Sequence, residues 1–487
     1  MKLHFLTAAN GWKEDQNLRK RKHRHRKLIF FILLVSYLLA ATLPYLHQPE
    51  VSEAFQKDFD PTCVYGDGPS CDRATVIDDN GEALEERIRL IEHAQERVIL
   101  STFEFRSDTS GKLMIAALLD AAGRGVQVDI LLDGFNHIKN SKGNRYFHAL
   151  VQNPNVTLRV YNPVNLLAPH KFMSRMHDKY VIADDSAYII GGRNTYDFFL
   201  GDQDSYKNHD RDFLVCNTGG TESSIYELTA YFERIWQQPE CRSWKPDGIF
   251  VNASRVQEAG EELAAQYRDF RSTHPECFDA PDALYKTFPV QKITLLSNPT
   301  GLYSKEPQLF YMLTQLMKHA KSEVLLHTPY IICNQKMYDA LSDVTAGGVP
   351  VTIMTNAASN NGNPFGAVDH VLYKDETLAT GVKILEYRGG ISYHCKSMVI
   401  DHDLALVGSF NLDMKSAYQD TELMLVIHSE PVAEQLRENM EHYHEDATVG
   451  VAAQNKTEEI FEGNLPLLQK IERAVIRAAD RWIRFLL

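Results

Sequence analysis

Apolar and polar residues follow a pattern of helices and strands that occurs twice along the chain. Residues 93–105 (HAQERVILSTFEF) and 319–331 (HAKSEVLLHTPYI) each show the end of an amphipathic helix followed by an apolar, β-branched run. Residues 123–134 (GRGVQVDILLDG) and 347–357 (GGVPVTIMTNA) each show a helix that ends at glycine before another strand. This alternation predicts two α/β domains, each with a sheet covered by helices. The offset of about 220 residues indicates a domain duplication and not a solenoid.

Each repeat contains the same histidine–lysine motif. Residues 176–194 (MHDKYVIADDSAYIIGGRN) and 393–411 (YHCKSMVIDHDLALVGSFN) both show His-x-Lys, four residues, Asp, six residues and Gly-[Gly/Ser]-x-Asn, with no insertion in either copy. Agreement at six positions is improbable by chance, so the chain is expected to assemble one site from two half-sites. The motif residues are His177, Lys179, Asp184, Gly191, Gly192 and Asn194 in the first copy, and His394, Lys396, Asp401, Gly408, Ser409 and Asn411 in the second.

These residue types suit a phosphate group. In a strand, His and Lys two positions apart lie on one face, which places a nucleophile or proton donor beside a positive charge. Two buried lysines that converge require an anion, and the asparagine amides can donate to phosphoryl oxygens. One histidine would attack phosphorus, while the other would protonate the leaving alkoxide and later deprotonate the incoming alcohol or water. No metal and no cofactor are expected, because these side chains would stabilise the developing charge.

The duplicated motif resembles that of the phospholipase D superfamily, and its details resemble most the bacterial cardiolipin synthases. The resemblance spans roughly residues 75–445. Residues 408–423 (GSFNLDMKSAYQDTEL) are similar to that group's GSxNLDxRSxxxNxE, and 327–331 (HTPYI) to its TPYF segment. The chain differs from this pattern at Cys395, where the family usually has alanine, and at Lys415, where it has arginine.

The resemblance implies two phospholipase D-like α/β domains related by a pseudo-dyad, acting as a phosphatidyltransferase through a phosphohistidine. By this analogy His177 is the nucleophile and His394 the general acid and base, although the half-sites are nearly equivalent in sequence. Asp184 and Asp401 belong to the motif and are expected to stabilise its fold more than to act in the chemistry. The resemblance counts Lys179 and Lys396 among the catalytic residues, where they would hold the phosphoryl oxygens, and assigns Asn194, Asn411 and Ser409 to substrate binding. It assigns Asp212 and Glu422 to orienting the imidazoles.

Charge separates the amino terminus from the rest of the chain. The formal net charge is −13, and residues 1–27 carry nine Lys/Arg and two acids, or +7, which leaves −20 for residues 28–487. An acidic body fits a polyanion such as DNA poorly. Charge therefore argues against nucleic acid as a partner, while the resemblance implies a membrane and phospholipid substrates, such as phosphatidylglycerol or a related lipid.

The amino-terminal segment predicts a membrane anchor. Residues 28–46 contain no formal charge and are long enough to span the hydrocarbon core as a helix. A cleaved signal peptide and a buried core helix are the alternatives, but the apolar run exceeds a usual signal sequence and lacks a clean A-x-A site. The basic cluster before it predicts a cytoplasmic amino terminus in the cell membrane, with the catalytic domains outside the cytoplasm.

Segments outside the two repeats complete the predicted organisation. Within the inter-domain insertion, residues 256–273 are expected to form a surface linker helix, with a substrate lid as the alternative. Residues 465–487 form a basic amphipathic pattern, for which a helix in the membrane interface and a helix packed on the domain are both open. The predicted segments are a basic cytoplasmic segment (1–27), a transmembrane helix (28–46), an extracytoplasmic linker (47–74), the first domain (75–240), the insertion (241–284), the second domain (285–448) and the carboxy-terminal amphipathic helix (449–487).

The cysteines are compatible with an oxidising compartment. Cys63 and Cys71 are close enough in sequence for a local disulfide, and Cys241 and Cys277 flank the insertion and could also pair. Cys395 lies between two motif residues, but alternation points it to the opposite face, as a small buried residue.

Three other functions fit parts of the sequence. A hydrolytic phospholipase D would release phosphatidic acid by using water as the acceptor, and the motif does not distinguish it from a transferase. A metal-independent phosphodiesterase or nuclease would share the same half-sites. An inactive membrane scaffold is the alternative from a different class, and two intact half-sites argue against it.

Overall fold

The computed structural model describes residues 2–246, 251–279, 286–452, 455–463 and 465–487. The boundary predicted between residues 284 and 285 lies outside these ranges. The helices are α1 Lys2–Thr42, α2 Glu53–Asp58, α3 Asn80–His93, α4 Thr109–Gly123, α5 Gly134–Asn136, α6 Arg145–Leu150, α7 Ser224–Trp236, α8 Ala253–Thr273, α9 Gln308–His319, α10 Gln335–Ala346, α11 Pro364–Ala379, α12 Met414–Tyr418, α13 Glu430–Glu441, α14 Lys456–Ile460 and α15 Leu467–Ile483.

The strands form one large sheet in each half of the chain. In chain order they are β1 Asp72–Ile77, β2 Arg97–Thr102, β3 Gln127–Asp133, β4 Val156–Tyr161, β5 Tyr180–Ala183, β6 Ala187–Gly191, β7 Asn208–His209, β8 Asp212–Asn217, β9 Cys241–Ser243, β10 Phe288–Pro289, β11 Lys292–Ser297, β12 Val324–His327, β13 Ile331–Ile332, β14 Val351–Asn356, β15 Lys383–Tyr387, β16 Ser392–Tyr393, β17 Ser397–Ile400, β18 Leu404–Gly408, β19 Leu412–Asp413, β20 Leu423–His428 and β21 Ala447–Val449.

The two sheets confirm the predicted duplication. The first has the order β10-β1-β8-β6-β5-β2-β3-β4-β9, and the second β11-β20-β18-β17-β12-β14-β15-β21. Strands β1, β8, β6, β5, β2, β3 and β4 therefore match β11, β20, β18, β17, β12, β14 and β15 in the same order. As the sequence pattern predicts, β3 follows a helix that ends at Gly123, and β14 follows a helix that ends at Ala346 before Gly347.

The sheets face each other across a shared core. Residues from both sheets pack together there with apolar side chains of α7 and α13, including Leu228 and Leu436. The outer face of the first sheet is covered by α3, α4, α6 and α8, and that of the second by α9 and α10. Helices therefore cover the outer face of each sheet, and α7 and α13 share the core between the inner faces, because each sheet buries an apolar face on either side.

The amino-terminal helix α1 contains one candidate membrane span, Lys22–Tyr45, with a mean hydropathy of 2.2 and little of its surface buried. Its end is docked on the body, since the Tyr45 hydroxyl donates to the carbonyl of His170 at 2.9 Å. The predicted linker then follows the second half, where Ser52 donates to Glu306 and Phe55 packs on Tyr311. The linker ends in strand β1, which belongs to the first sheet.

The segment between the halves is not independent of them. The apolar face of α8, including Val256, Leu263 and Phe270, joins the core under α4 and α6. Its described part is thus a surface helix that belongs structurally to the first half, and the expectation that it belongs to neither half was wrong. The amphipathic period of α8 predicted the helix, but not the surface that covers its apolar face.

All seven cysteines lie within the described residues, and all are free. The disulfides considered between Cys63 and Cys71 and between Cys241 and Cys277 are therefore not formed. Cys241 lies in β9 opposite Tyr161 in β4, and Cys277 is buried near α3. Cys395 is fully buried beside Tyr387 and Tyr393, as alternation predicts.

Candidate functional site

The two half-sites meet where the sheets face each other. His177 lies just before β5, and Met176 forms a parallel bridge with Thr421 of the other half. His394 follows β16, which pairs in parallel with β7 of the first half. Backbone hydrogen bonds cross the junction in both places, from His177 to Thr421 at 3.3 Å and from His394 to His209 at 2.8 Å. The pseudo-dyad thus produces one composite site from two distant motifs.

The His177 ring is positioned by a carboxylate from the second half. Its Nδ1 lies 2.8 Å from Oε1 of Glu422, which is fully buried. Ser416 donates to the same oxygen at 2.7 Å, and Ser409 donates to the other carboxylate oxygen. With Nδ1 engaged, Nε2 is the nitrogen left to face a substrate. Phe103 packs edge-on against the ring at 4.9 Å.

The His394 ring is positioned by the first half, but by Asp210 and not by the predicted Asp212. Its Nδ1 lies 2.6 Å from Oδ2 of Asp210, and Phe199 packs edge-on at 4.9 Å. Asp212 instead bonds to the buried Arg87 and Arg193, at 2.8 and 3.0 Å. The prediction for Asp212 was wrong, whereas Glu422 does contact an imidazole.

Strand register explains the error. Gly191 pairs with Asp212 in the first sheet, and its equivalent Gly408 pairs with Met424 in the second. Asp212 is therefore the counterpart of Met424, and Asp210 that of Glu422. Asp210 and Asp212 are two apart near the start of β8 and so point the same way, which leaves spacing alone unable to choose between them.

The two motif lysines lie beside the histidines. The Lys179 ammonium donates to the carbonyl of His177, and that of Lys396 to the carbonyl of His394. Burial lowers the pKa of Lys179 to about 7, with Glu422 opposing this shift and Lys396 adding to it. Burial also lowers the pKa of Lys396, against the effect of Asp210. Two buried cations that disfavour each other make the site receptive to an anion.

Lowered pKa values keep both imidazoles neutral at pH 7. Burial, followed by the charge of Lys396, lowers the pKa of His394 to about 4, although Asp210 opposes the shift. Burial and then Lys179 lower the pKa of His177 well below its ordinary value. An anionic phosphoryl group between the lysines would raise both, because it offsets the positive charge.

The two orienting carboxylates differ in protonation. Burial would raise the pKa of Asp210, but Lys396 and His394 overcome it and hold that pKa below its ordinary value. Burial raises the pKa of Glu422 to about 8, with Lys179 opposing. An ionised carboxylate on Nδ1 stabilises an imidazolium more than a protonated one does. The structure thus makes the nearly equivalent half-sites electrostatically unequal.

The structure places the predicted substrate-binding residues at the same junction. Asn194 follows the Gly-Gly pair, and its Oδ1 accepts the backbone N–H of Glu104 at 3.2 Å, while its Nδ2 has no hydrogen-bond partner among the described residues. Asn411 Nδ2 donates to the Tyr330 hydroxyl at 3.3 Å, and its buried Oδ1 has no partner among the described residues. The Ser409 hydroxyl donates to Glu422, so Ser409 helps to position the carboxylate that contacts His177.

Asp184 and Asp401 lie at the other ends of β5 and β17 from the histidines. Asp184 accepts three backbone N–H groups, from Gln95, Glu96 and Arg97, each at 2.8 Å. Asp401 does the same for Lys321, Ser322 and Glu323 in the second half. Both have positive φ, 51° and 54°, a conformation that Asp tolerates better than most residues. The structure does not bring them to the imidazoles.

Besides Asp210, the sequence reasoning missed a second buried group at the site. Asp178, between His177 and Lys179, accepts hydrogen bonds from Tyr231 at 3.0 Å and Thr421 at 2.9 Å. Burial raises its pKa to about 7, and Glu422 adds to the shift. The only signal in the sequence was the position itself. Asp178 corresponds to Cys395 of the second motif, so an acid stands where the other copy has a small buried residue.

A duplicated α/β sandwich with paired His-x-Lys half-sites defines a phospholipase D-type protein. The family described as "Cardiolipin synthase, PLD-like domain" matches residues 88–236 and 313–444. Because this match covers more than half of the chain, the chain belongs to that family.

Proteins of several bacteria are similar over most of the chain. Cardiolipin synthase C of Escherichia coli is 25% identical, over 72% of this chain and 80% of its own. Cardiolipin synthase 1 of Bacillus anthracis is 24% identical, over 90% and 79%. An uncharacterized protein of Helicobacter pylori is 27% identical, over 76% and 79%.

A solved structure has the same fold. The phosphatidylserine synthase of Haemophilus influenzae superposes with a TM-score of 0.60, at 16% identity, over 85% of this chain and 95% of its own.

Proposed function

We propose that this protein is a membrane-anchored phosphatidyltransferase that makes cardiolipin or a closely related lipid from phosphatidylglycerol. The observation that carries the proposal is the composite site, in which two imidazoles, each held by a carboxylate of the opposite half, flank two buried lysines. Membership of the cardiolipin synthase family and the candidate span in α1 support a phospholipid as the substrate.

The proposed reaction has two steps, each a displacement at phosphorus. In the first, Nε2 of His177 attacks phosphorus, the bond from phosphorus to the head-group oxygen breaks, and His394 gives its proton to that oxygen. In the second, the acceptor hydroxyl gives its proton to His394 as its oxygen attacks phosphorus, and the bond to His177 breaks. Lys179 and Lys396 would balance the charge of the phosphoryl oxygens, and Asn194 and Asn411 would donate to them.

His177 is proposed as the nucleophile because the carboxylates are unequal. The low pKa of Asp210 keeps a negative charge on Nδ1 of His394, which suits the residue that must carry a proton. Glu422 holds a proton more readily, so His177 remains neutral, as a nucleophile must.

The activity is tested with the full-length protein in phosphatidylglycerol vesicles containing a metal chelator, with products identified by mass spectrometry. Cardiolipin and free glycerol support the transferase, with His177→Asn inactive. Phosphatidic acid without cardiolipin would replace it by the hydrolytic phospholipase D. Cleavage of a plasmid under the same conditions, with the lipid unchanged, would favour a nuclease.

The roles of the histidines are separated by a donor lipid whose leaving group needs no proton. With phosphatidyl-p-nitrophenol, the His394→Asn protein should release one equivalent of nitrophenolate in a burst, since attack by His177 is intact. The His177→Asn protein should release none. The opposite pattern would exchange the two roles.

We also propose that α1 spans the cell membrane with the amino terminus in the cytoplasm and the catalytic domains outside it. The basic residues before the span and its exposed apolar surface support this arrangement. A protease added to intact cells should degrade the domains while leaving the amino-terminal segment protected. Protection of the domains in intact cells, with cleavage only after lysis, would reverse the orientation.

A further inference from the structure

The carboxy-terminal helix α15 has an inverted arrangement of polar and apolar residues. Arg473 and Asp480 face the protein and are buried together with Ile476, and Arg473 donates to the carbonyls of Ile460 and Ala358. The opposite face is exposed and apolar. We call this face the α15 stripe; it consists of Leu467, Leu468, Ile471, Val475 and Trp482. Such a helix in water would leave its most apolar side unburied.

Basic side chains border the α15 stripe. Lys470, Arg477 and Arg481 are exposed and lie along one edge of it at helical spacing. An apolar face bordered by cations and ending in tryptophan is the pattern of a helix that lies in an anionic lipid surface. An anionic phospholipid bilayer complements this charge, whereas a second copy docked through the same stripe would bring two basic edges together.

A second exposed apolar site lies on a loop that touches the candidate membrane span. Leu166 and Leu167, in the loop after β4, are exposed by 69% and 94%. The Tyr37 hydroxyl donates to the carbonyl of Leu166 at 3.0 Å, and Phe172 packs on the Tyr37 ring. Tyr37 lies inside the span, about 12 Å along the helix from Tyr45. If α1 crosses a bilayer, the tip of this loop lies at the depth of the lipid chains.

Lys415 connects the loop to the end of α15. Its backbone N–H donates to the carbonyl of Leu487 at 2.7 Å, and its ammonium donates to the carbonyl of Met173 at 2.6 Å. Gln419, one turn further, donates to the carbonyl of Phe485. The carboxy end of α15, the loop and the end of α1 therefore lie on one side of the molecule.

We propose that the α15 stripe and the Leu166–Leu167 tip form a second lipid contact, on which the catalytic domains rest against the leaflet next to the end of α1. This inference rests on the membrane anchoring in the proposed function. Residues 168–176 run from the tip directly to His177. The contact would therefore hold the His177 side of the site at the membrane surface, where a phospholipid can enter without leaving the bilayer.

The test uses tryptophan fluorescence of the full-length protein in phosphatidylglycerol vesicles, with and without lipids brominated in the acyl chains. The signal of Trp482 is the difference between the unchanged protein and Trp482→Phe. We expect this signal to be quenched by brominated lipid and protected from aqueous acrylamide. Adding Leu167→Trp to the Trp482→Phe protein should restore a quenchable signal.

A matched pair of variants tests the stripe itself. Val475→Lys should decrease quenching of Trp482 by lipid, whereas Val451→Lys should not, although Val451 is similarly exposed (66% against 62%). Both side chains are exposed, so neither substitution should change the melting temperature in detergent.

Two results would overturn the inference. Trp482 open to acrylamide would place the stripe in water. Trp482 protected from both quenchers, in a dimer that sedimentation shows to dissociate with Val475→Lys, would assign the stripe to a second copy. Neither result depends on turnover, so both are distinguishable from a failed transferase assay. Failure of the anchor would instead appear as protein that does not float with the vesicles.

Discussion

Replacing Asp210 by asparagine should remove the charge that supports the proposed acid while keeping the shape of the site. Asp210 is fully buried, and its Oδ2 lies 2.6 Å from Nδ1 of His394. Asparagine has the same size and can still accept a hydrogen bond through its amide oxygen. The substitution thus changes mainly the electrostatic stabilisation of a protonated His394.

The magnitude follows from Coulomb's law. Two unit charges about 4 Å apart, at an effective dielectric constant of about 20, interact by about 4 kcal/mol. Each 1.36 kcal/mol is a factor of ten in rate, so Asp210→Asn should lower kcat by about 10³-fold. Because Asp210 raises the pKa of His394, its loss should also move the pH optimum to lower pH.

The assay compares Asp210→Asn with Asp212→Asn in phosphatidylglycerol vesicles, together with melting temperatures in detergent. Asp212→Asn leaves the buried Arg87 and Arg193 without their charge partner, which costs about 3–5 kcal/mol of stability. It should therefore lower the melting temperature while the folded fraction keeps most of its kcat.

The reasoning would be refuted if Asp210→Asn kept a kcat within tenfold of the unchanged protein. It would also be refuted if Asp212→Asn lost activity by 10³-fold with an unchanged melting temperature, because that would return the orienting role to Asp212.

Three further predictions concern the motif. Asp184→Ala should lower the free energy of unfolding by about 3 kcal/mol, since three backbone N–H groups lose a charged acceptor, and the folded fraction should keep its kcat; an unchanged melting temperature would contradict this. The pKa of His394 is about 4 in the folded protein, below its ordinary value. As the pH falls from about 6.5 towards 4, the unfolded chain therefore binds a proton at His394 that the folded protein does not, and the free energy of unfolding decreases. His394→Asn should lose less melting temperature over that range than the unchanged protein, and an equal loss would exclude this source. The pH–rate curve should be bell-shaped, since the imidazoles act in opposite protonation states, and a flat profile between about pH 5 and 9 would count against that division.

Elements with a strong hydrophobic period were predictable from the sequence. The helix that ends at His93 and the strand after it, and their counterparts around His319, follow directly from spacing because the period of side chains is a local property. The histidine–lysine motifs were predictable for the same reason, since His177 and Lys179 share one face of an extended segment. The match between the two strand orders then confirmed the duplication that the repeats predicted.

The carboxylate of the first half was not predictable in this way. Asp210 lies 18 positions after Gly192, but Glu422 lies only 13 positions after Ser409, because the first loop is longer. Once the loops differ in length, only strand pairing aligns the two copies, and pairing is a tertiary property.

The sequence by itself determined the chemistry and its duplication: two half-sites with the residue types of a phosphate site, two α/β domains and an apolar span. Only the tertiary structure decided that each imidazole is held by a carboxylate of the opposite half, through Glu422 on His177 and Asp210 on His394. It also decided that α15 turns Arg473 and Asp480 inward and its apolar stripe outward. The physical reason is that spacing constrains which side chains share a face of one element, whereas the packing of one element on another decides what that face meets.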